Sequence, residues 1–397
     1  MHRELSRYDG YSVRIKELLA YIIFRLAKPC FRRKKIWLVF EKFCSTAQDN
    51  GFYFFKFCME QLSDNDKKNI YYVIQSDSDE RSNVEQYGKN VIDFMSLKHM
   101  IYIQAAAIVI GSDAKSHLYN WRSLPSCMST VLRKKKIFFL QHGVLALKRV
   151  DSIFGKHGSN PMTYFTTSSD YEQRIVMENF GYSAQDAPAV GLARWDVLED
   201  ESTEENKLIL VMPTWRSWLE GRTADTFKAS DYYENYMKLF TNPKLEQILE
   251  KYDGRMVFYI HPKFRDYLGN FVVDSNRIEL IPFGSRPLNE IIRECRMLIT
   301  DYSSVCWDVY YLGKPVMFYQ FDYDMYMDIH GSYMDMTTEL FGDRFFNSDE
   351  VIKGIEENLK NNFRESDRAA SMRKDYFKYI DNNNSKRTYE YLKEKGF

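Results

Sequence analysis

Two histidines in this 397-residue chain directly follow short apolar runs, at positions where an imidazole could serve acid–base chemistry. His142 comes after the run IFFLQ and has Gly143 beside it, whereas His261 follows MVFYI and precedes Pro262 and Lys263. An imidazole at a strand end can stay open to a ligand and titrates near neutral pH. A single such histidine is often structural, but one in each half of the chain predicts a shared site in an interdomain cleft.

Two further segments have residue types that suit phosphate binding. Residues 300–304 (TDYSS) lie between the apolar run MLIT and a helical pattern, so Ser303 or Asp301 suits the N-cap. Unpaired N–H groups and adjacent hydroxyls at a helix N-terminus favour a phosphate. Residues 213–216 (PTWR) follow LILVM and add a hydroxyl and a guanidinium, Thr214 and Arg216. A plain N-cap and a surface salt bridge are the alternative interpretations.

Alternating apolar runs and helical patterns predict the elements that position these residues. We predict strands at residues 36–40, 70–75, 108–110, 137–141, 164–167, 208–212, 257–260, 298–300 and 316–319. Several of these runs are apolar on both faces, as in a parallel sheet covered by helices on each side. The pattern predicts a doubly wound α/β protein whose polar break at residues 198–207 separates two Rossmann-like halves. Ligands bind beyond the carboxyl ends of such strands, where the polar segments lie.

Composition and the absence of certain motifs argue against several other classes of protein. The chain has 55 basic and 55 acidic residues, which argues against a basic coat for nucleic acid. Its six cysteines form no CxxC pair and no zinc-finger spacing, so reduced cytosolic thiols are expected. The P-loop, GxGxxG, HExxH and GxSxG motifs are absent. Aspartates spaced D-x-D, such as Asp322 and Asp324, could bridge a metal, but chance pairs are expected in so acidic a chain.

The N-terminal segment has the pattern of an interfacial helix. Residues 1–36 hold ten basic and three acidic residues. Helical spacing places Ile15, Leu19, Ile22 and Leu26 on one side and Arg14, Glu17, Arg25 and Lys28 on the other. The apolar run at residues 18–24 is too short to span a bilayer. We therefore expect peripheral attachment to an anionic membrane, with a surface helix packed on the following domain as the alternative.

Taken together, these motifs resemble those of the CDP-glycerol glycerophosphotransferases, the family of teichoic-acid primases and polymerases and their capsule relatives. The resemblance covers about residues 36–392 and rests on HG-x4-K, PTWR, HPK, TDYSS, the terminal Ser385 to Arg387, DNG-x4-K from Asp49, and G-x-x-R-x-D from Gly191. It implies a GT-B-like fold with two Rossmann-like domains facing a cleft. Residues 1–35 would be the basic amphipathic membrane segment, residues 36–197 the acceptor domain and residues 198–397 the CDP-donor domain.

The resemblance also implies an activity. A polyol phosphate, glycerol phosphate or ribitol phosphate, would pass from a CDP-activated donor to a hydroxyl of a membrane-linked teichoic-acid-like or capsular acceptor, with release of CMP. The acceptor would be lipid-linked or polymeric and contain phosphate, and the enzyme would lie peripherally on the cytoplasmic face of an anionic membrane. Nucleic acid is not an expected partner. No cofactor is expected to be required, no metal ligand is assigned, and a divalent metal stays possible.

Residue roles follow from the same resemblance. His142 and His261 would be catalytic, with His142 as the general base that takes the acceptor's proton. The donor-binding residues would be Thr214, Arg216, Lys263, Thr300, Asp301, Ser303, Ser304 and Arg387. The acceptor-binding residues would be Asn50, Gly143 and Lys148. Residues 114–150 contain eight Lys or Arg and no acidic residue, which suits a polyanionic acceptor.

Two other functions fit parts of the pattern. A GT-B glycosyltransferase that uses a nucleotide sugar in cell-surface polysaccharide synthesis would share the two halves and the phosphate-binding helix. A non-catalytic scaffold at the membrane surface would share the N-terminal segment. A panel of CDP-polyol and UDP-sugar donors separates these functions by the nucleotide released.

Overall fold

The computed structural model describes residues 11–120, 126–282 and 284–397, which fold into two α/β units. The first unit consists of Met1–Val144, Val150–Val197 and Lys378–Phe397, and the second of Leu145–Arg149 and Leu198–Phe377. Residues 1–10 of the predicted membrane segment and Arg122 of the predicted basic patch lie outside the described residues.

The sheet of the first unit contains six parallel strands within the described residues. In chain order the elements are α1 (Tyr11–Phe31), β1 (Ile36–Phe40), α2 (Asn50–Gln61), α3 (Asp64–Lys67), β2 (Ile70–Ile74), α4 (Ser82–Glu85), β3 (Val91–Asp93), α5 (Leu97–Ala105), β4 (Ala106–Gly111), α6 (Cys127–Arg133), β5 (Ile137–Phe139), α7 (Asp151–Phe154), β6 (Tyr164–Phe165) and α8 (Asp170–Phe180). Short 3₁₀ turns lie at Lys42–Cys44, Gly88–Asn90, Lys115–His117 and Ala193–Val197.

The second unit repeats this architecture, and the chain then ends with one more helix. Its elements are β7 (Lys207–Val211), α9 (Ala224–Lys228), α10 (Asp231–Phe240), α11 (Pro243–Tyr252), β8 (Gly254–Tyr259), β9 (Ile278–Ile281), α12 (Leu288–Glu294), β10 (Met297–Thr300), α13 (Val305–Tyr311), β11 (Val316–Tyr319), α14 (Tyr323–His330), β12 (Asp343–Phe345), α15 (Ser348–Lys360) and α16 (Asp367–Tyr376). Turns of 3₁₀ helix lie at Ser217–Leu219 and Pro262–Asn270, and the last helix is α17 (Asn384–Glu394).

Both sheets have the same strand order, and every described strand pair is parallel. The first runs β3-β2-β1-β4-β5-β6 and the second β9-β8-β7-β10-β11-β12. The winding direction therefore reverses between β1 and β4 and again between β7 and β10. In doubly wound sheets, ligands generally bind outside the carboxyl ends of the strands at such a switch point.

Each sheet has its own hydrophobic core. All five residues of β1 are buried, because helices cover both faces of the sheet. Trp37, Phe54 and Leu392 belong to the core of the first unit. Val211 and Phe258 belong to the core of the second.

The predicted α/β class with two doubly wound units is confirmed. The nine predicted strands coincide with β1, β2, β4–β8, β10 and β11. The sequence did not indicate β3, β9 and β12, each of which lies at a sheet edge; β3 and β9 are buried only in part, and no residue of β12 is buried. Short, half-exposed edge strands lack the continuous apolar run that marks the central ones.

Helix α1 is amphipathic and packs one face on the first unit. The ring of Phe31 lies 5.9 Å from that of Tyr102 in α5. Glu17, predicted on the polar face, is buried. Its carboxylate is satisfied there, because the Tyr119 hydroxyl donates to it and Arg14 pairs with it. Among the described residues, no helix combines the length and the apolar content needed to cross a membrane.

The last helix, α17, belongs to the first unit, although sequence analysis assigned residues 198–397 to the C-terminal domain. The carboxylate of Asp196 accepts the backbone N–H groups of Asn384 and Ser385, which would otherwise be unpaired at the helix start. Leu392 is fully buried in the core of the first unit. The predicted boundary therefore places this helix in the wrong half.

The short segment Leu145–Arg149 belongs to the second unit, although it falls within the predicted acceptor domain. The carbonyl oxygen of Ala146 accepts the backbone N–H of Tyr333 at 2.9 Å and the hydroxyl of Ser332 at 2.8 Å. Backbone pairing with a distant loop thus decides where this segment packs.

Candidate functional site

A group of polar residues lies at the switch point of the first sheet and begins with Glu41, directly after β1. Its buried carboxylate accepts three backbone N–H groups at the start of α2, from Gln48, Asp49 and Phe52, at 3.1, 2.9 and 2.7 Å. Gly51 is required there, because a Cβ would lie 2.8 Å from Cγ of Glu41. Glu41 thereby fixes the first turn of α2 and the position of Asp49.

The imidazole of His142, after β5, lies between two carboxylates. Its Nδ1 is 3.0 Å from Asp49 Oδ2, and its Nε2 is 3.0 Å from Oδ1 of Asp113, which follows β4. Burial disfavours the imidazolium, but the charges and hydrogen bonds of Asp113 and Asp49 outweigh it and raise the pKa of His142 to about 10. The side chain of His142 is still 48% exposed, so the site is open to a ligand.

The pKa values of the two carboxylates, Asp49 and Asp113, shift in the opposite direction to that of His142. Burial alone would raise the pKa values of Asp49 and Asp113, but both are lowered, mainly by His142. Arg194 also lowers the pKa of Asp49, and His117 that of Asp113. At neutral pH the group is therefore an imidazolium held by two carboxylates.

Arg194 and Asn50 hold this group in place. Nη1 of Arg194 donates to Asp49 at 3.0 Å and to the carbonyl oxygen of His142 at 2.6 Å. Asn50 is fully buried; its Nδ2 donates to the carbonyl of Gln141, and its Oδ1 accepts the N–H of Arg194. Asn50, predicted to bind the acceptor, instead joins the start of α2 to the β5 loop.

Arg387 lies in the first unit and is bound within it. Its guanidinium forms two hydrogen bonds with Asp381, at 2.8 and 3.0 Å, and donates to Oδ1 of Asn384. Gly191 makes room for this arrangement, since its φ is +83° and a Cβ would lie 1.9 Å from Asn384 Oδ1. In the structure the guanidinium of Arg387 secures the loop before α17, and its contact with the donor stays a prediction.

The switch point of the second sheet is built on Arg216, which is fully buried. Its guanidinium lies 2.8 Å from a carboxylate oxygen of Asp301 and 2.6 Å from one of Asp322. Thr300 is equally buried, and its hydroxyl donates to the carbonyl of Met212 at 2.6 Å. Five aromatic rings surround the guanidinium at 5.1–6.0 Å, those of Trp218, Tyr232, Tyr302, Phe321 and Tyr326.

These contacts change the interpretation of three predicted donor-binding residues. Arg216, Asp301 and Thr300 have no exposed surface with which to touch a ligand. They instead tie residues 213–216 to residues 300–304, since Asp301 also accepts the N–H of Thr214 at 2.8 Å. A buried charge is unfavourable without a partner, and here the guanidinium of Arg216 and the carboxylate of Asp301 are paired with each other.

Trp215 lies in the loop that Arg216 anchors, and two lysine ammonium groups lie over its ring. The Lys263 ammonium lies 3.8 Å from the ring centroid, and that of Lys148 lies 5.6 Å from it. Lys263 pairs with Glu220 at 2.8 Å, whereas Lys148 has no carboxylate partner within the part of the chain that the structure describes. Burial and then the charge of Lys263 lower the pKa of Lys148. A partly buried cation without a counter-ion is suited to bind an anion.

Lys148 therefore belongs to the same unit as the predicted donor-binding residues Lys263 and Ser303. We predicted an acceptor-binding role for Lys148 together with Gly143, which lies five residues earlier in HG-x4-K. Gly143 is buried and belongs to the first unit, whereas Lys148 belongs to the second.

His261 stands beside the same tryptophan. It precedes the 3₁₀ helix Pro262–Asn270, and its ring lies 5.9 Å from that of Trp215. The backbone N–H of Lys263 donates to its Nδ1 at 3.2 Å. A neutral imidazole that accepts at Nδ1 carries its proton on Nε2, so we assign Nε2 as a donor.

Three hydroxyls complete the edge of the second sheet. Ser304 is exposed, and Ser303 is partly exposed and accepts the N–H of Val305 at 3.4 Å. The hydroxyl of Thr214 is buried and makes no hydrogen bond within the described residues. The hydroxyls of Ser303 and Ser304 are therefore available to a ligand, whereas the buried hydroxyl of Thr214 is not.

The residues of the predicted basic patch, 114–150, are divided between the two units. Lys115 and Lys135 direct their ammonium groups to backbone carbonyls of the same unit. Burial lowers the pKa of Lys135 to about 8. Lys148 and Arg149 belong to the other unit.

Sequence reasoning assigned no site role to Glu41, Asp113, Asp322 and His330. Asp113 is the second residue after β4, so the rule of examining polar residues after each strand would have found it. Asp322 was considered only as half of a D-x-D pair, and the structure uses it as a counter-ion for Arg216. His330 lies 3.2 Å from Ser217, and burial, then the charges of Lys148 and Arg216, lower its pKa to about 4. Only tertiary packing places His330 there.

Within residues 11–120, 126–282 and 284–397, no group of three or more His, Cys, Asp or Glu side chains is arranged to hold a metal ion.

Known sequences match this chain over almost its whole length. The family model of CDP-glycerol:poly(glycerophosphate) glycerophosphotransferases matches residues 20–394. The minor teichoic acid biosynthesis protein GgaB of Bacillus subtilis (strain 168) is 26% identical over 405 residues, which cover 99% of this chain and 43% of that protein. The teichoic acid glycerol-phosphate primase of the same organism is 22% identical over 73% of this chain and 76% of its own length. The chain thus spans less than half the length of GgaB.

Solved structures support the fold. The wall teichoic acid polymerase TagF, in a crystal soaked with CDPG, superposes with a TM-score of 0.65 at 14% identity, over 96% of this chain and 98% of that one. A putative UDP-N-acetylglucosamine 2-epimerase from Listeria monocytogenes gives 0.56 at 15% identity, over 91% and 96%. At these identities the likeness concerns the fold alone, and it confirms the GT-B-like class.

The family model, the shared motifs and the paired Rossmann-like units agree, and the chain belongs to the CDP-glycerol:poly(glycerophosphate) glycerophosphotransferase family of enzymes.

Proposed function

We propose that this protein transfers glycerol phosphate or ribitol phosphate from a CDP-activated donor to a hydroxyl of a teichoic-acid-like or capsular acceptor, and releases CMP. Family membership and the relatives' names support this, among them a poly(ribitol-phosphate) polymerase and a glycerol-phosphate primase. The observation that carries the proposal is that each switch point holds the chemistry that one substrate needs. A histidine–carboxylate group occupies one, and cations with hydroxyls occupy the other.

The second unit would bind the diphosphate of the donor. Lys148 lacks a carboxylate partner within the described residues, so a phosphate would supply its missing counter-charge. Lys263, Ser303, Ser304 and the Nε2 proton of His261 add further donors. Arg216 is fully buried and, through its ion pair with Asp301, would hold the loop that carries Ser303 and Ser304.

The reaction requires that one P–O bond forms as another breaks. The acceptor oxygen attacks the phosphorus that bears the polyol, and the bond from that phosphorus to the bridging oxygen breaks. The bridging oxygen leaves with CMP, and hydrogen-bond donors stabilise its developing charge. The acceptor's proton passes to a base, for which we propose His142.

His142 can accept this proton only when one ring nitrogen is unprotonated. With both Asp49 and Asp113 bound, the raised pKa keeps the ring as an imidazolium. We propose that the acceptor hydroxyl replaces Asp113 at Nε2, which removes one of the two stabilising charges and lowers the pKa towards neutrality. Asp49, held by Glu41 and Arg194, would keep Nδ1 protonated and the ring oriented.

Attachment to an anionic membrane is part of the proposal and rests on the free face of α1. Six apolar side chains of this helix are 37–79% exposed, those of Ile15, Leu18, Leu19, Ile22, Ile23 and Leu26. Basic residues flank them, and four more follow at residues 32–35. An exposed apolar stripe with basic flanks favours an anionic bilayer surface.

Liposome flotation tests the membrane contact. Leu18→Glu with Leu26→Glu should abolish flotation with vesicles of phosphatidylglycerol and phosphatidylethanolamine. Val272→Glu is the matched control, because Val272 is 73% exposed, similar to Leu26 at 79%, but lies in the second unit. Unchanged flotation of the double variant contradicts attachment through α1.

Nucleotide release from a donor panel tests the reaction. The protein, with an acceptor primer, is incubated with CDP-glycerol, CDP-ribitol, UDP-glucose and UDP-N-acetylglucosamine. We expect CMP from one or both CDP-polyols and no UDP, and we expect His142→Ala and His261→Ala to reduce CMP release at least about 100-fold. Release of UDP instead would indicate a nucleotide-sugar glycosyltransferase, and release of no nucleotide would indicate a scaffold.

A further inference from the structure

A groove of about 540 Å³ lies on the first unit between the outer faces of α2 and α17. Its floor is aromatic and aliphatic and includes Tyr53, Phe57, Leu62 and Tyr389. These side chains are partly exposed, so their apolar surface is available to a ligand. The volume is in the range of protein sites for small organic molecules.

Polar side chains surround this floor. Gln61, Asn382, Lys386 and Glu390 are exposed, and none of their side chains makes a hydrogen bond to the described residues. Together they offer amide donors and acceptors, an ammonium and a carboxylate. Such a mixture suits a ligand with several hydroxyl groups, each of which donates and accepts.

The charge of the groove argues against a phosphate-rich ligand. Its charged lining residues are two lysines and three carboxylates, namely Lys56, Lys386, Glu60, Asp196 and Glu390. Lys56 is already paired with Glu60 at 2.8 Å. A polyanion would therefore meet no surplus of positive charge, in contrast to the Lys148 and Lys263 pair of the second unit.

We propose that this groove binds a neutral saccharide, a pyranose ring that belongs to the acceptor. The apolar face of a pyranose would lie on the aromatic floor, and its hydroxyls would bind the polar rim. Assignment of that saccharide to the acceptor rests on the proposed function, whereas its binding does not.

The position of the groove fits an acceptor subsite. Tyr53 follows Asp49 by four residues on α2, which corresponds to about 6 Å along a helix axis. Asp196 lines the groove two residues after Arg194, which donates to Asp49 and to the carbonyl of His142. The Tyr53 end of the groove is thus the end nearer to Asp49, which binds His142 within the same unit.

Saturation-transfer NMR on the full chain tests the inference with three probes. These are methyl β-glucoside, methyl N-acetyl-β-glucosaminide and glycerol phosphate, each without donor. We expect transfer to at least one glycoside, and affinity at least about fivefold weaker in Phe57→Ala and in the double variant Gln61→Ala, Asn382→Ala. Glu394→Ala, exposed on the same α17 but outside the groove, should bind as the wild type does.

Two results would overturn the inference. One is saturation transfer to glycerol phosphate and to neither glycoside. The other is equal affinity for the glycoside in the wild type and in all variants. The double variant changes only exposed side chains, so its melting temperature should match the wild type and separate lost binding from lost folding. Since no donor is present, absent CMP release in the donor panel with retained glycoside binding would contradict the proposed function and leave the saccharide site supported.

Discussion

Replacement of Asp113 by asparagine should lower the pKa of His142 without moving its ring. Two carboxylates, each 3.0 Å from a ring nitrogen, raise that pKa from an ordinary 6.5 to about 10. An asparagine oxygen can still accept from Nε2, so the change removes a charge and keeps a hydrogen bond. A single opposite charge at this range shifts a pKa by about 1–3 units. Because half of the imidazole is exposed to solvent, we expect a fall of about 1–2 units.

The sign of the pH dependence follows from the raised pKa. Between pH 6.5 and about 10 the folded protein holds a proton on His142 that the unfolded chain has released. The imidazolium therefore stabilises the fold fully below pH 6.5, and this contribution is lost as the pH rises through the folded pKa. In Asp113→Asn that loss should be complete at a pH about 1–2 units lower than in the wild type.

Histidine-labelled NMR measures this pKa directly. The His142 resonance is assigned with His142→Gln and titrated from pH 5 to 11 in the wild type and in Asp113→Asn. Asp64→Asn is the control, because the side chain of Asp64 is 98% exposed and lies away from the site. A wild-type pKa near 6.5, or an equal pKa in Asp113→Asn, would refute the reasoning.

Three other substitutions separate structural from binding roles. Arg216→Ala leaves two buried aspartates without a counter-ion and should lower the free energy of unfolding by about 3–5 kcal/mol in a urea titration; a loss below about 1 kcal/mol would contradict the buried network. Gly191→Ala should be more destabilising than Gly221→Ala by at least about 1 kcal/mol in thermal unfolding, because both have positive φ but only the first Cβ meets a neighbour; equal melting temperatures would contradict this. Lys148→Ala should raise KM for CDP-glycerol at least about tenfold, whereas the exposed Lys228→Ala should not, and equal KM values would remove Lys148 from the donor site.

The sequence predicted the central strands and the polar residues that follow them. Both signals are local, because an apolar run and the residue after it are neighbours in the chain. His142, His261 and Ser303 accordingly lie at the carboxyl edges where we expected them. The edge strands β3 and β12 were not predicted, because three residues with little burial leave no pattern.

The role of each side chain was harder to predict than its position. A guanidinium after a strand has the same local pattern whether it faces a ligand or a carboxylate, and Asp322 is 106 residues from Arg216. Lys148 follows His142 by six residues, but the chain passes from one unit to the other between them. In both cases a partner distant in sequence decides the role, and the local motif does not contain it.

Phosphorus NMR of the complete reaction tests the central claim most directly. The protein is incubated with CDP-glycerol and a hydroxyl-bearing acceptor primer, and the phosphorus signals are followed over time. The proposed phosphotransfer predicts one new phosphodiester for each CMP formed, with both absent in His142→Ala. Formation of CMP with free glycerol phosphate and no phosphodiester, or no CMP from any CDP-polyol, would contradict it.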